Sequence, residues 1–124
     1  MAGSPSIDQT YLTDILELTE GKGVELLNRL VGLYLESSQK RLAKIRVAIT
    51  EQDAKTLSFE AHTLKSGSAN LGALELTHIA QELENIGKTG LVGDGTVLLL
   101  ARFEKELVQV THELRQFLET KKAA

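Results

Sequence analysis

Proline occurs once in the sequence, at Pro5, so the chain from residue 6 to its end contains none. Proline removes a backbone donor and clashes with the preceding turn, which makes it the strongest local veto on a helix. A stretch this long without it is free to run as helices. The rest of the composition agrees, with 4% aromatic residues and abundant Leu, Glu, Lys and Ala. The expectation is an all-α protein. At 124 residues, one domain with a sizeable core is the natural size class. The absence of cysteine excludes disulfides, thiolate metal sites and a cysteine nucleophile. A net charge of -3 argues against a nucleic-acid binder, whose footprint is a basic face.

Residues 1–6 (MAGSPS) are small and polar and read as a flexible leader or a cloning remnant. They lack the basic and apolar regions of a signal peptide. The longest apolar run, VLLLA at 97–101, is far short of the roughly 20 residues of a membrane span, so a cytoplasmic protein is expected.

Glycines divide the remainder into helical segments. Ser6 followed by Gln9 fits a capping box for a short first helix through Tyr11, Leu12, Ile15 and Leu16, which Gly21–Lys22–Gly23 ends. A long second segment carries Leu27, Leu30, Val31, Tyr34, Leu42, Ile45, Ala48 and Ile49 at spacings of three and four. Asp53 can cap the third, whose stripe is Leu57, Ala61, Leu64 and Ser68. The fourth buries Leu76, Ile79, Ala80 and Leu83, with Gly87 suited to its C-cap before a glycine-dense loop, GKTGLVGDG. The last repeats Leu100, Phe103, Leu107, Val110, Leu114 and Phe117. Together these segments predict an antiparallel four-helix bundle over residues 7–122, with the short N-terminal helix as a lid.

Chemistry must then come from histidines, carboxylates, lysines and hydroxyls. At about 100° per residue, His62 points roughly 140° away from the buried stripe of its helix, toward solvent. Ser66 stands one turn on, Gly67 follows, Lys65 flanks the ring, and Phe59 is an aromatic that the core does not claim. His78 and His112 also face outward, without such company. Exposed histidines are common, so periodicity alone leaves all three as ordinary surface residues.

The stretch AHTLKSGSANLGA (residues 61–73) is more specific. It resembles the signature of histidine-containing phosphotransfer (HPt) domains, roughly A-H-x-L-K-G-x-x-x-x-x-G-A. Ile7–Asp8, the spacing of Leu76 and Leu83–Glu84 also look like family positions, so practically the whole chain fits the family's bundle. The resemblance implies a stoichiometric phosphocarrier that passes a phosphoryl group between aspartates of receiver domains, those of response regulators and hybrid sensor kinases. His62 falls on the phosphoacceptor and Lys65 on the lysine that neutralises the phosphoryl group. Ser66 stands where the family has glycine, with Gly67 displaced by one, and its hydroxyl would donate to a phosphoryl oxygen; Ser66, Gly67 and Phe59 would form the docking surface. Glu84 falls where relatives present a polar group to the histidine ring. The resemblance also implies no metal of the chain's own, with Mg2+ brought by the receiver, and a monomer suits a shuttle whose imidazole face stays uncovered.

Other readings are thinner. Gly87–Lys88–Thr89 matches the end of a P-loop, but position 82 is Glu and no strand precedes it. Glu75 and His78 make a single Glu-x-x-His pair, and His112–Glu113 lacks the second histidine of a zinc motif. The serious rival is a helical interaction module that binds receiver or kinase domains without phosphotransfer.

Overall fold

The computed structural model describes residues 6–18 and 21–123, so most of the expected leader lies outside the described residues. The described residues form five helices: α1 (Gln9–Leu18), α2 (Gly23–Glu51), α3 (Ala54–Asn70), α4 (Leu74–Thr89) and α5 (Asp94–Ala123). Helices α2, α3, α4 and α5 close a ring, α2 on α3, α3 on α4, α4 on α5 and α5 back on α2, while α1 packs on α2. The short connections make sequential helices antiparallel neighbours. At 1.5 Å per residue α2 and α5 are about 44 Å long and α3 and α4 about 25 Å, so a short hairpin closes against two long struts.

The predicted stripes of α3, α4 and α5 are buried as expected, meeting around Leu57, Leu64, Leu76, Ile79, Leu83, Phe103 and Val110. Ser68, the one polar residue in the α3 stripe, is fully buried and shares a 2.9 Å hydrogen bond with the Tyr34 hydroxyl of α2, which satisfies both groups. On α2 the stripe is narrower than periodicity suggested. Leu30 is exposed to 36%, because α1 covers only part of that face.

Helix boundaries follow local chemistry. Gln52 ends α2 in the left-handed region (φ 57°), donating its N–H to the carbonyls of Ala48 and Ile49. Asp53 caps α3 as expected, accepting the Thr56 N–H at 3.1 Å. Two expectations are corrected. The Ser6 capping box does not form, because Glu113 of α5 captures the N–H groups of Ser6 (3.0 Å) and Ile7 (3.1 Å). Asp8 takes over, its carboxylate accepting the Thr10 N–H at 3.0 Å. Likewise Gly87 is not the C-cap of α4. The helix runs on to Thr89, Gly90 takes the left-handed position (φ 78°), and the loop shrinks to residues 90–93. Gly87 serves instead as a contact. A Cβ there would stand 2.6 Å from the Ser58 nitrogen and 2.8 Å from the Ala54 carbonyl oxygen, so α3 and α4 approach closely at this point.

The lid expected of the first helix is real. The Asp8 N–H donates to the Gly72 carbonyl at 2.8 Å, tying the start of α1 to the α3–α4 turn, and Ile7 and Leu12 bury over that end of the bundle.

Candidate functional site

The centre of α3 lies against α4 just beyond the Gly87 contact. There α4 presents Gln81, Glu84, Asn85 and Lys88, which share one face at spacings of three, four and seven. Glu84 points between the helices and is only 4% exposed. A carboxylate so placed must be paired, since an isolated buried charge is very costly.

Its partners are the residues that sequence reading singled out, and one more. Oε2 lies 3.0 Å from His62 Nδ1 and 3.3 Å from Lys88 Nζ, while Oε1 forms a 2.7 Å ion pair with Lys65. The Lys65 ammonium also donates to Gln81 Oε1 at 3.0 Å, and the Gln81 amide donates to Asn85 Oδ1 at 2.9 Å. Burial disfavours the charged form of Glu84, but the contacts from Lys65, His62 and Lys88 outweigh it and bring the carboxyl pKa down to about 2.

An ionised carboxylate only accepts hydrogen bonds. The His62 ring therefore donates through Nδ1–H, and Nε2 carries the free lone pair. The imidazole remains accessible, with 59% of its side chain exposed. In its neutral form the ring thus offers a nucleophilic nitrogen, held in one tautomer and one orientation at the surface, with two ammonium groups beside it. A buried counter-charge behind the ring is ready to stabilise positive charge that develops on it.

The remaining expected residues divide between two surfaces. Phe59, 65% exposed, lines an open depression with Ser58, His62, Glu84 and Lys88. Ser66 and Gly67 line a different depression, a groove between α3 and α2 with Leu30, Leu33, Tyr34 and Ile15. The smallness of Gly67 serves helix packing as well as any docking, since a Cβ there would sit 3.3 Å from the Tyr34 ring. His78 and His112 are exposed and stand outside the cluster. Lys65 was expected on the flank of the ring; it is there, but its ammonium is turned onto Glu84 and Gln81.

Lys88 and Gln81 went unnoticed in the sequence. Lys88 drew attention only as part of a false P-loop, although its i+4 spacing from Glu84 was the available signal. Among the described residues, no group of three His, Asp or Glu side chains is placed to hold a metal, and no helix is long and apolar enough to cross a membrane.

Residues 29–120 match the Hpt domain family, and the protein belongs to it, a family of phosphotransfer modules of phosphorelays. Among solved structures, histidine-containing phosphotransfer protein B from Pseudomonas aeruginosa PAO1 matches with a TM-score of 0.80 at 29% identity, covering 95% of this chain and 98% of that one. Multistep phosphorelay regulator 1 of Schizosaccharomyces pombe (strain 972) is 28% identical over 81 residues, 65% of this chain. This chain spans only 28% of the length of that relative.

Proposed function

We propose that His62 is the phosphoacceptor, taking a phosphoryl group from the aspartyl phosphate of one receiver domain and giving it to an aspartate of another. The observation that carries this reading is the Nδ1–Glu84 hydrogen bond, which leaves Nε2 as the free, outward nucleophile. In the forward step the Nε2 lone pair forms the new P–N bond as the P–O bond to the aspartate breaks and the carboxylate leaves. The ring gains positive charge while Nδ1 keeps its proton on Glu84. In the return step the same charge makes the imidazole a good leaving group. Transfer of this kind depends on positioning and charge neutralisation more than on covalent help from the protein.

The cluster does not suit magnesium, because its one buried carboxylate is already committed to Lys65, Lys88 and His62. We assign Mg2+ to the receiver, which completes the site on docking. Exposed apolar side chains flank His62 on both sides, with Phe59 in the depression and Leu30 and Leu33 beside the Ser66–Gly67 groove. They suit a protein partner that arrives over the imidazole and leaves again. A cytoplasmic monomer fits such a shuttle.

The test is phosphate uptake from receiver domains charged with acetyl phosphate. The wild-type chain is expected to take up acid-labile phosphate and His62→Gln none. Label on the variant would refute the assignment. Receiver binding without any transfer by the wild type would favour the interaction-module reading instead.

A further inference from the structure

The start of α1 is held by groups far away in the sequence. Glu113 of α5 accepts the Ser6 N–H on Oε2 at 3.0 Å and the Ile7 N–H on Oε1 at 3.1 Å. The Gln109 amide, one turn earlier on α5, donates to the same Oε2 at 2.9 Å and steadies the carboxylate. The Asp8 N–H donates to the Gly72 carbonyl at 2.8 Å. Three consecutive backbone donors are thus tied down, two of them through one carboxylate. The helix they lead into has 10 residues, and isolated helices shorter than about 12–15 residues are marginal in water. α1 therefore keeps its place through these ties and through its packing on α2, where Leu12 is buried. Two turns beyond the tie, Ile15 forms one wall of the α2–α3 groove that also holds Leu30, Leu33, Ser66 and Gly67.

From this geometry we infer that Glu113 is a positioning residue for receiver docking: it latches α1 so that Ile15 completes the apolar groove beside the His62 helix. This rests on that groove being part of the docking face. Glu113 touches neither the groove nor the imidazole and acts through the backbone it holds. A carboxylate can receive two N–H donors at once, and charge-assisted bonds are about twice as strong as neutral ones. Without Glu113 the Ser6 and Ile7 N–H groups turn to water, and α1 keeps only the Gly72 tie and its contacts with α2. A short helix held by fewer contacts opens more often. Each opening takes Ile15 out of the groove. Only the closed fraction presents the complete groove, so the apparent affinity for a receiver falls with that fraction.

The test is Glu113→Ala, read in three ways. Backbone amide exchange in α1 should speed up by about tenfold to a hundredfold, as expected for losing hydrogen bonds to a charged group, while α3, α4 and α5 keep their protection. Titration with a receiver domain that charges the wild-type chain should show binding weaker by about threefold. Phosphate uptake from phosphoramidate, in which Nε2 displaces ammonia from phosphorus with no partner present, should match wild type. Glu113→Gln retains one accepting oxygen and should fall between the two. Ile15→Ala should weaken receiver binding by a similar factor, and adding Glu113→Ala to it should weaken binding little further, since both act through one wall. Unchanged α1 protection in Glu113→Ala would overturn the latch, as would a loss of protection spread through the whole bundle. A loosened α1 with unchanged receiver affinity, or fully additive losses in the double variant, would overturn its role in docking. Phosphoramidate uptake by His62→Gln equal to wild type would overturn the acceptor assignment itself, which separates the two failures.

Discussion

Replacing Gly87 with alanine asks whether the α3–α4 contact sets the geometry of the His62 site. In a free helix the change would help, since alanine is favoured over glycine by about 1 kcal/mol. Here the new methyl would meet the Ser58 nitrogen at 2.6 Å, the Ser58 Cβ at 2.7 Å and the Ala54 oxygen at 2.8 Å. Two of these atoms are backbone, so no side-chain rotation relieves the clash and the helices must separate by most of an ångström. Overpacking of that kind costs about 3 kcal/mol at the upper end of the usual range, leaving a net destabilisation of about 2 kcal/mol. With an unfolding entropy of about 2.1 cal/mol/K per residue, the melting temperature should fall by about 8 °C. Gly87 is one turn from Glu84, and Ser58 is one turn from His62, so the same separation should loosen the Nδ1–Glu84 bond. Urea titration reads the first effect, and imidazole nitrogen shifts read the second as a move toward mixed tautomers. Gly32, mid-helix in α2 with nothing within 4 Å of its Cβ position, is the control: Gly32→Ala should gain up to about 1 kcal/mol. Equal or greater stability of Gly87→Ala, with the tautomer unchanged, would refute the reasoning.

Two other outcomes follow from the charge cluster. Lys65→Ala should both slow phosphoryl transfer and destabilise the fold by about 1–3 kcal/mol, because it strips the partner from a buried carboxylate oxygen; a variant as stable as wild type in urea would remove Lys65 from the structural role. Glu84 is held about 2.5 pH units below its usual 4.5, at about 2. Its charged form is favoured by folding, so that stability is fully present above pH 4.5 and drains away as pH falls toward 2, by about 3 kcal/mol in all. Denaturation midpoints taken between pH 7 and pH 2.5 should fall less for Glu84→Gln than for wild type; parallel curves would show that the carboxylate contributes nothing of the kind.

Where sequence reading succeeded, the information was periodic or contiguous. The α5 stripe from Leu100 to Phe117 and the α3 stripe from Leu57 to Ser68 are legible because a 3.6-residue repeat reports which side chains share a face. His62 and Lys65 stood out because their neighbours form one unbroken segment. Misreadings arose where two distant segments compete for one group. Ser6 has the right chemistry for a cap, but Glu113, 107 residues away, takes its N–H. Gly87 and Gly90 are both glycines near the end of a helix; only the nearness of Ser58 and Ala54 makes one a contact and leaves the other to end the helix.

What the sequence determined by itself is the helical class, set by the confinement of proline to position 5, together with the buried stripes and the histidine of the HPt signature. Only the tertiary structure decided how that histidine is held. Helix periodicity places His62 on α3 and Glu84 on α4, but the register in which two helices pack is fixed by side chains meeting in space, here at the Gly87 approach. That register brings Glu84, Lys65 and Lys88 to one point behind the ring. It holds an exposed imidazole in one orientation with Nε2 outward, because the buried carboxylate engages Nδ1.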